Sequence, residues 1–326
     1  MTAFWYLHRM NAYRSIFLFP VFFCIMLSGW SQSAFTVVPL GVRGGLDESN
    51  LSSYMVAPAG SQDYICLDAG TLYAGIRKAV DLGVFHGDPG QVLRRSIKAY
   101  FISHPHLDHV AGLIINSPED TSKTIYGLSP TLTVLKEKYF SWASWANFGD
   151  DGEKPQLKKY HYAEMVPGEL QHIPSTKLDV TAFPLSHGEP YLSTAFLVRS
   201  GESALLYLGD TGSDTVEHAG RLKHLWEAVA PLVKARQLKA IFIEVSFPDE
   251  QPLKSLFGHL TPRLLMGEMK RLESLAGPGL LRGLPVVITH RKPSGDQEPR
   301  IRRQVEAENA LGLKLTFPSQ GRKYYF

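Results

Sequence analysis

The stretch His104-Pro-His-Leu-Asp-His109 places four side chains that commonly bind transition metals within six residues. It follows the apolar run 99–103, which predicts a strand. In an extended strand end, His104 and His106 point to the same side because side chains alternate between two faces. A helix that begins immediately afterwards would turn the following aspartate and histidine toward the same point. Imidazole and carboxylate ligands suit zinc and related ions, and this spacing favours two neighbouring metal ions over one.

Further along the chain, apolar runs repeatedly end next to a histidine or a carboxylate. Such runs lie at 178–185, 203–208, 239–243 and 284–289. The side chains that follow them are His187, Asp210, Glu244 and His290. An α/β fold builds its site in this way, because strand ends meet at one edge of a sheet. We find no internal repeat and no low-complexity linker, so a single catalytic domain over 35–326 is predicted.

The remaining pattern predicts a hairpin of 54–57 with 64–67 and helices over 71–82, 221–238 and 263–276. The region 110–175 reads as helices and loops. It contains the aromatic segment 139–148, for which a core or dimer-face role and a base-stacking role both stay open. Asp68 follows the second hairpin strand and has two interpretations. It either orients a metal-binding histidine or caps the helix that begins near residue 71.

Residues 1–34 have the order of a secretory signal peptide. Arg9 and Arg14 precede the apolar run 16–27, which is short for a membrane span, and small residues follow it. We therefore expect cleavage near Ser33 or Ala34 and an exported, periplasmic protein without a membrane anchor. An uncleaved anchor is the alternative.

Composition is that of a globular protein, with 44% hydrophobic and 20% charged residues. The formal net charge is +3, two of which come from Arg9 and Arg14, and no basic block stands out. Charge therefore gives no indication of a nucleic-acid polymer as partner. Of the two cysteines, Cys24 lies in the predicted signal peptide, so Cys66 has no partner for an internal disulfide in the mature chain.

The strand-end residues together resemble the metallo-β-lactamase superfamily, whose hydrolases use H-x-H-x-D-H, a later His, an Asp and a final His. The resemblance covers about 35–326 and implies an α/β fold, the αβ/βα four-layer sandwich. It also implies two divalent metal ions. Zinc is the first choice, and manganese and iron stay open because the same nitrogen and oxygen ligands accept all three. One ion would be held by His104, His106 and His187, the other by Asp108, His109 and His290. Asp210 would bridge them.

Longer segments of the chain resemble one particular family within this superfamily. The segment 104–118 resembles the signature of class II 3′,5′-cyclic-nucleotide phosphodiesterases, and so do 38–45, 244–247, 258–262 and 288–292. This resemblance implies hydrolysis of cAMP, cGMP or both to nucleoside 5′-monophosphates, and a possible homodimer.

Three residues are assigned catalytic roles. Asp108 would accept a hydrogen bond from the attacking nucleophile. Glu244 and His259 resemble a Glu–His pair of tRNA 3′-processing phosphodiesterases and would pass a proton to the leaving oxygen. Two alternatives remain at this point. One is another hydrolase of the same fold, either a nuclease-type phosphodiesterase or a lactonase, and the other is a metal-dependent nucleotide-binding protein without turnover.

Overall fold

The computed structural model describes residues 1–2 and 33–326, and Ser33–Phe326 forms one compact unit. The predicted signal peptide, residues 1–34, falls largely outside the described residues. Within the part that is described, no helix has the length and apolar character needed to cross a membrane.

The first sheet has seven strands in the order β14-β1-β2-β3-β4-β5-β6. Pairing is antiparallel from β14 to β3 and parallel from β3 to β6. The strands are β1 (Phe35–Gly41), β2 (Ser53–Pro58), β3 (Tyr64–Leu67), β4 (Ile97–Phe101), β5 (Lys123–Gly127), β6 (Tyr160–Glu164) and β14 (Tyr324–Tyr325).

The second sheet also has seven strands, in the order β13-β12-β11-β10-β9-β8-β7. Here the antiparallel part runs from β7 to β10 and the parallel part from β10 to β13. The strands are β7 (Leu170–Ile173), β8 (Leu178–Ser186), β9 (Leu192–Ser200), β10 (Ser203–Leu208), β11 (Leu238–Glu244), β12 (Pro285–Thr289) and β13 (Lys314–Thr316).

Helices cover the outer faces of both sheets. They are α1 (Tyr73–Asp81), α2 (Pro89–Ser96), α3 (Leu107–Asn116), α4 (Ser129–Val134), α5 (Asp214–Glu217), α6 (Arg221–Lys234), α7 (Pro262–Ala276) and α8 (Gln297–Ala307). A π-helical turn, Leu135–Tyr139, continues α4, and a 3₁₀ turn, Leu253–Ser255, precedes α7.

Three apolar clusters hold these layers together. The central cluster lies between the two sheets and includes Phe101, Phe196 and Phe242. A second cluster packs α1, α2 and α3 on the first sheet, and a third packs α6, α7 and α8 on the second sheet. The predicted αβ/βα four-layer sandwich is therefore confirmed.

Several local expectations were wrong. The region predicted as helices and loops contains three strands, β5, β6 and β7. Of these, β6 and β7 are largely exposed and carry no continuous apolar run, so their sequences do not indicate a strand. The predicted strand 99–103 occupies Ile97–Phe101, and the helix predicted to reach residue 238 ends at Lys234. Two short strands, β13 and β14, follow the last predicted strand.

Candidate metal centre

The loop between β4 and α3 carries the first two histidines. Because β4 ends at Phe101, His104 and His106 lie in this loop and not in a strand, so strand alternation does not explain their common direction. Asp108 and His109 occupy the first turn of α3, as the helix predicted after the motif requires. The rings of His104 and His106 still meet, with centroids 4.6 Å apart.

The other predicted ligands come from the second sheet. His187 comes directly after β8, and His290 comes directly after β12. Asp210 lies two residues after the end of β10. All three are buried, and the structure brings them to the same edge as the loop from the first sheet.

Among the described residues, five groups of three side chains bring their ligand atoms within 4.8 Å of one another, and two of these groups are the predicted sets. His104, His106 and His187 form one group, and Asp108, His109 and His290 form the other. In the first group, His106 Nδ1 lies 3.1 Å from His104 Nε2 and 3.2 Å from His187 Nε2.

Asp210 lies between the two groups. Its Oδ1 is 3.3 Å from His109 Nε2, and its Oδ2 is 3.2 Å from His290 Nε2 and 3.7 Å from His187 Nε2. A carboxylate in this position can face two cations at once and reduce the repulsion between them.

Hydrogen bonds on the outer side of the His104, His109 and His187 rings determine which nitrogen faces inward. Ser103 Oγ donates to Asp68, so it accepts from His104 Nδ1 at 3.0 Å. His109 Nδ1 lies 2.8 Å from Asp68 Oδ2 and donates to it. The carbonyl oxygen of Gly258 can only accept, so His187 Nδ1 donates to it at 2.9 Å. In each of these rings the Nε2 lone pair is left facing the centre.

The same logic applies to His290. Ser246 Oγ donates to Glu244 Oε2 at 2.6 Å and therefore accepts from His290 Nδ1 at 2.9 Å. His290 Nε2 then faces Asp108 Oδ2 at 3.1 Å. The other carboxylate oxygen of Glu244 accepts from His259 Nδ1 at 2.7 Å.

Asp68 orients His109 and does not cap a helix, which decides between its two interpretations. It accepts hydrogen bonds from the Ser103 backbone N–H, from Ser103 Oγ and from the Tyr207 hydroxyl, in addition to the one from His109. The residue that precedes α1 is Leu72, and its side chain makes no cap.

The carboxylates produce a strongly negative environment. Burial by itself lowers the pKa of His109, but Asp210 and Asp68 raise it well above its ordinary value. Burial raises the pKa of Asp210, yet His290 and His109 hold it well below its usual range. By contrast, burial lowers the pKa of His187 to about 4, which keeps that ring neutral and able to bind a cation.

These donors fit divalent metal ions. His109 Nε2 and Asp210 Oδ1 are buried with no hydrogen-bond partner among the described residues, and they face each other across the centre. A divalent cation bound by both His109 Nε2 and Asp210 Oδ1 would replace the proton that the two carboxylates favour on His109, and it would satisfy both buried atoms.

His259 is also close to these groups, since its Nδ1 lies 3.7 Å from Asp210 Oδ2. That nitrogen is already bonded to Glu244, so His259 is poorly placed as a ligand through Nδ1. Burial lowers the pKa of His259, but Glu244 and Asp210 raise it above its ordinary value, against a smaller opposing effect of Lys292. The pair is therefore arranged to hold a proton beside the centre.

Sequence reasoning missed the residues that support the ligands. Ser103, Ser246 and Tyr207 carry no metal-binding signature, although each serine adjoins or lies near a predicted site residue. Gly44 is required because a Cβ there would lie 2.2 Å from the His290 ring. Gly45 N donates to Asp108 Oδ2 at 3.0 Å.

In the aromatic segment 139–148, Phe140 is fully buried and belongs to the core. Trp142 and Trp145 are exposed, but Trp142 Nε1 donates to the carbonyl of Pro155 and Trp145 Nε1 to Ser117 Oγ. The core interpretation is therefore correct for Phe140.

Comparison with known families identifies the chain. Residues 89–321 match the model of the class-II cAMP phosphodiesterases. The chain belongs to this family. A 3′,5′-cyclic-nucleotide phosphodiesterase of Aliivibrio fischeri is 40% identical over 323 residues, which span 94% of this chain and 98% of that protein. The family predicted from the sequence is thus confirmed.

Solved structures agree on the fold. Unliganded yeast PDE1 superposes with a TM-score of 0.79 at 23% identity, covering 90% of this chain and all of that one. The metallo-β-lactamase fold protein YhfI from Bacillus subtilis gives a TM-score of 0.59 at 17% identity and covers 90% of this chain and 99% of that one.

Proposed function

We propose that this phosphodiesterase hydrolyses 3′,5′-cyclic nucleotides, cAMP, cGMP or both, to nucleoside 5′-monophosphates at a dinuclear metal centre. The observation that carries the proposal is the convergence of two three-ligand groups on Asp210 in a member of the class-II family. His104, His106 and His187 would hold one ion, Asp108, His109 and His290 the other, and Asp210 would bridge them. Two bound ions supply charge that stabilises the attacking and leaving oxygens of an in-line displacement at phosphorus.

The protein's own groups orient the reaction. Asp108 has one carboxylate oxygen held by Gly45 N and facing His290, so its position is fixed before the substrate arrives. We assign to Asp108 a hydrogen bond from the attacking water. Glu244 accepts from His259 Nδ1 and stabilises the protonated ring, and His259 delivers the proton on its other nitrogen, Nε2, to the 3′ oxygen as the ester bond breaks.

Replacing His259 tests the proton-transfer role. His259→Ala should lower kcat for cAMP by about 10²–10⁴-fold, because the leaving alkoxide then departs without its acid. The metal content should stay that of the wild-type protein. A variant with unchanged kcat would contradict the role, and a variant that lost its metal would show that His259 is a ligand instead.

The substrate class is tested by assaying cAMP, cGMP, a simple lactone and single-stranded DNA with one preparation. We expect hydrolysis of the cyclic nucleotides to be strongest. Faster cleavage of the lactone or the DNA would favour one of the other hydrolases of this fold. Nucleotide binding without any turnover would favour the non-catalytic alternative.

We also propose zinc as the metal, since neutral imidazole nitrogens and carboxylates suit it. We further propose a homodimer and export to the periplasm after cleavage near Ser33 or Ala34. Elemental analysis, sedimentation equilibrium and amino-terminal sequencing of the periplasmic protein test these three points in turn.

A further inference from the structure

Lys292 places a positive charge beside the metal centre that none of the roles above uses. It lies two residues after His290, and its Nζ is 5.4 Å from the centroid of the Phe247 ring. That ring is in turn 5.7 Å from the ring of His259. The three side chains therefore form a row that begins at Lys292, passes through Phe247 and ends at His259, the proposed proton donor.

Unlike the neighbouring arginines, Lys292 has no acidic partner. Arg43 is paired with Asp47 and Glu298. Arg291 is buried, donates to the Ile288 carbonyl and lies 3.4 Å from Glu298. Within 33–326, no carboxylate lies within 4.0 Å of Lys292, and no hydrogen bond from its Nζ to another described residue is present.

The contact with Phe247 leaves the lysine donors available. A cation over an aromatic face is held by the ring while its N–H groups stay free to bind something else. The side chain is only partly buried, so a small solute can reach it.

The chemistry of the substrate explains why a cation is needed here. A cyclic phosphodiester carries a negative charge, and its 5′-monophosphate product carries more. Asp108, Asp210 and Glu244 line the same centre and offset part of the positive charge of the proposed metal ions. A lysine without a carboxylate partner adds positive charge that attracts the anion.

We propose that Lys292 binds a non-bridging phosphate oxygen of the cyclic nucleotide and of the monophosphate product. This inference rests on the proposed function. Lysine is suited to the task because its compact ammonium group offers three donors to an oxyanion. Lys292 is thus a substrate-binding residue next to the proton donor.

The test compares Lys292→Met with Lys292→Arg in the metal-loaded protein. Lys239→Met is the matched control, because Lys239 is also partly buried but lies at the opposite end of β11 from Glu244. One measured quantity is KM for cAMP. The others are the inhibition constants of 5′-AMP, inorganic phosphate and adenosine, which are measured with bis(p-nitrophenyl) phosphate as the reporter substrate.

Lys292→Met should raise KM for cAMP and the inhibition constants of 5′-AMP and phosphate by about 10- to 100-fold, the range of a lost charge-assisted hydrogen bond. Inhibition by adenosine, which carries no phosphate, should stay unchanged. Lys292→Arg should recover most of the lost affinity, and Lys239→Met should behave as wild type.

Unchanged affinity for phosphate and 5′-AMP in Lys292→Met would overturn the proposal. An equal loss of affinity for adenosine would overturn it too, because that pattern indicates a distorted site. Failure of the proposed function has a different signature, namely a wild-type protein that does not hydrolyse cAMP. Calorimetric binding of inorganic phosphate to the wild-type and Lys292→Met proteins still tests Lys292 in that case.

Discussion

In four of the five histidines of the candidate metal centre, a hydrogen bond on the other side of the ring leaves the inward-facing nitrogen with a free lone pair. Asp68 and Ser103 do this for His109 and His104, and Ser246 does it for His290. Backbone geometry contributes as well, since Asp68 and His290 adopt φ values of 55° and 49°. Non-glycine residues rarely occupy this left-handed region, and they concentrate at functional sites.

Ser246 gives a sharp test of this arrangement. Ser246→Ala removes both the acceptor for His290 Nδ1 and a donor to Glu244. We expect a loss of about 10- to 100-fold in metal affinity or activity, which is typical when the group behind a ligand is removed. Competition with a chromogenic chelator measures the affinity.

The control is Ser255→Ala, because Ser255 lies in the 3₁₀ turn that precedes α7. It should leave metal affinity unchanged. Equal affinities for wild type and Ser246→Ala would show that the serine does not orient the ring.

At the scale of elements, strand ends carry the site and strand interiors carry the core. In the interior of β3, Cys66 is fully buried in the core, and its Sγ lies 3.1 Å from the carbonyl oxygen of Asp68. Burial raises the pKa of this thiol from 9.0 to about 12.

The raised pKa predicts both reactivity and pH dependence. In a Cys24→Ser chain, the folded protein should not react with a disulfide reagent at pH 8, and one thiol should react after denaturation. The unfolded chain loses this proton near pH 9.0, whereas the fold keeps it up to about pH 12. The contribution of Cys66 to the free energy of unfolding is thus fully present below about pH 9 and lost as pH rises through that window.

Rapid labelling of the native chain at pH 8 would contradict the buried placement of the thiol. Urea titrations of the Cys24→Ser chain and of a Cys24→Ser, Cys66→Ala chain at pH 8 and pH 10 measure how this contribution depends on pH. The difference in free energy of unfolding between the two chains should be smaller at pH 10.

The elements that the sequence predicted correctly are those with a strong local signal. Apolar runs such as 203–208 form buried strands, and 263–276 has the period of α7. β6 and β7 have no such signal, because they form on exposed edges through pairing with β5 and β8. The seven proposed ligands were found because His and Asp after strands are distinctive. The serines behind them were not, because serine is common in loops.

At the scale of the whole molecule, the centre joins the two halves of the sandwich. His104, His106, Asp108 and His109 follow β4 of the first sheet, whereas His187, Asp210 and His290 follow strands of the second. Bound metal would therefore tie the two sheets together at one edge, and its binding free energy would add to the stability of the fold.

Metal removal should consequently lower thermal stability. A ligand present at about 1,000 times its Kd stabilises by about 4 kcal/mol, and for a domain of this size we expect a fall in Tm of about 5–10 °C after chelation. Differential scanning calorimetry of chelated and zinc-restored protein measures the shift. Asp210→Asn should respond much less to zinc, and an identical Tm with and without metal would contradict the bridging role.

The most direct test of the dinuclear metal centre is elemental analysis of pure, folded protein combined with activity measurement. Wild type should carry two transition-metal ions per chain, and chelation should remove metal and cAMP hydrolysis together. His106→Ala should show the same joint loss without chelator. A folded wild-type protein that contains no transition metal and hydrolyses cAMP in the presence of chelator would contradict the assignment of these residues to a catalytic metal centre.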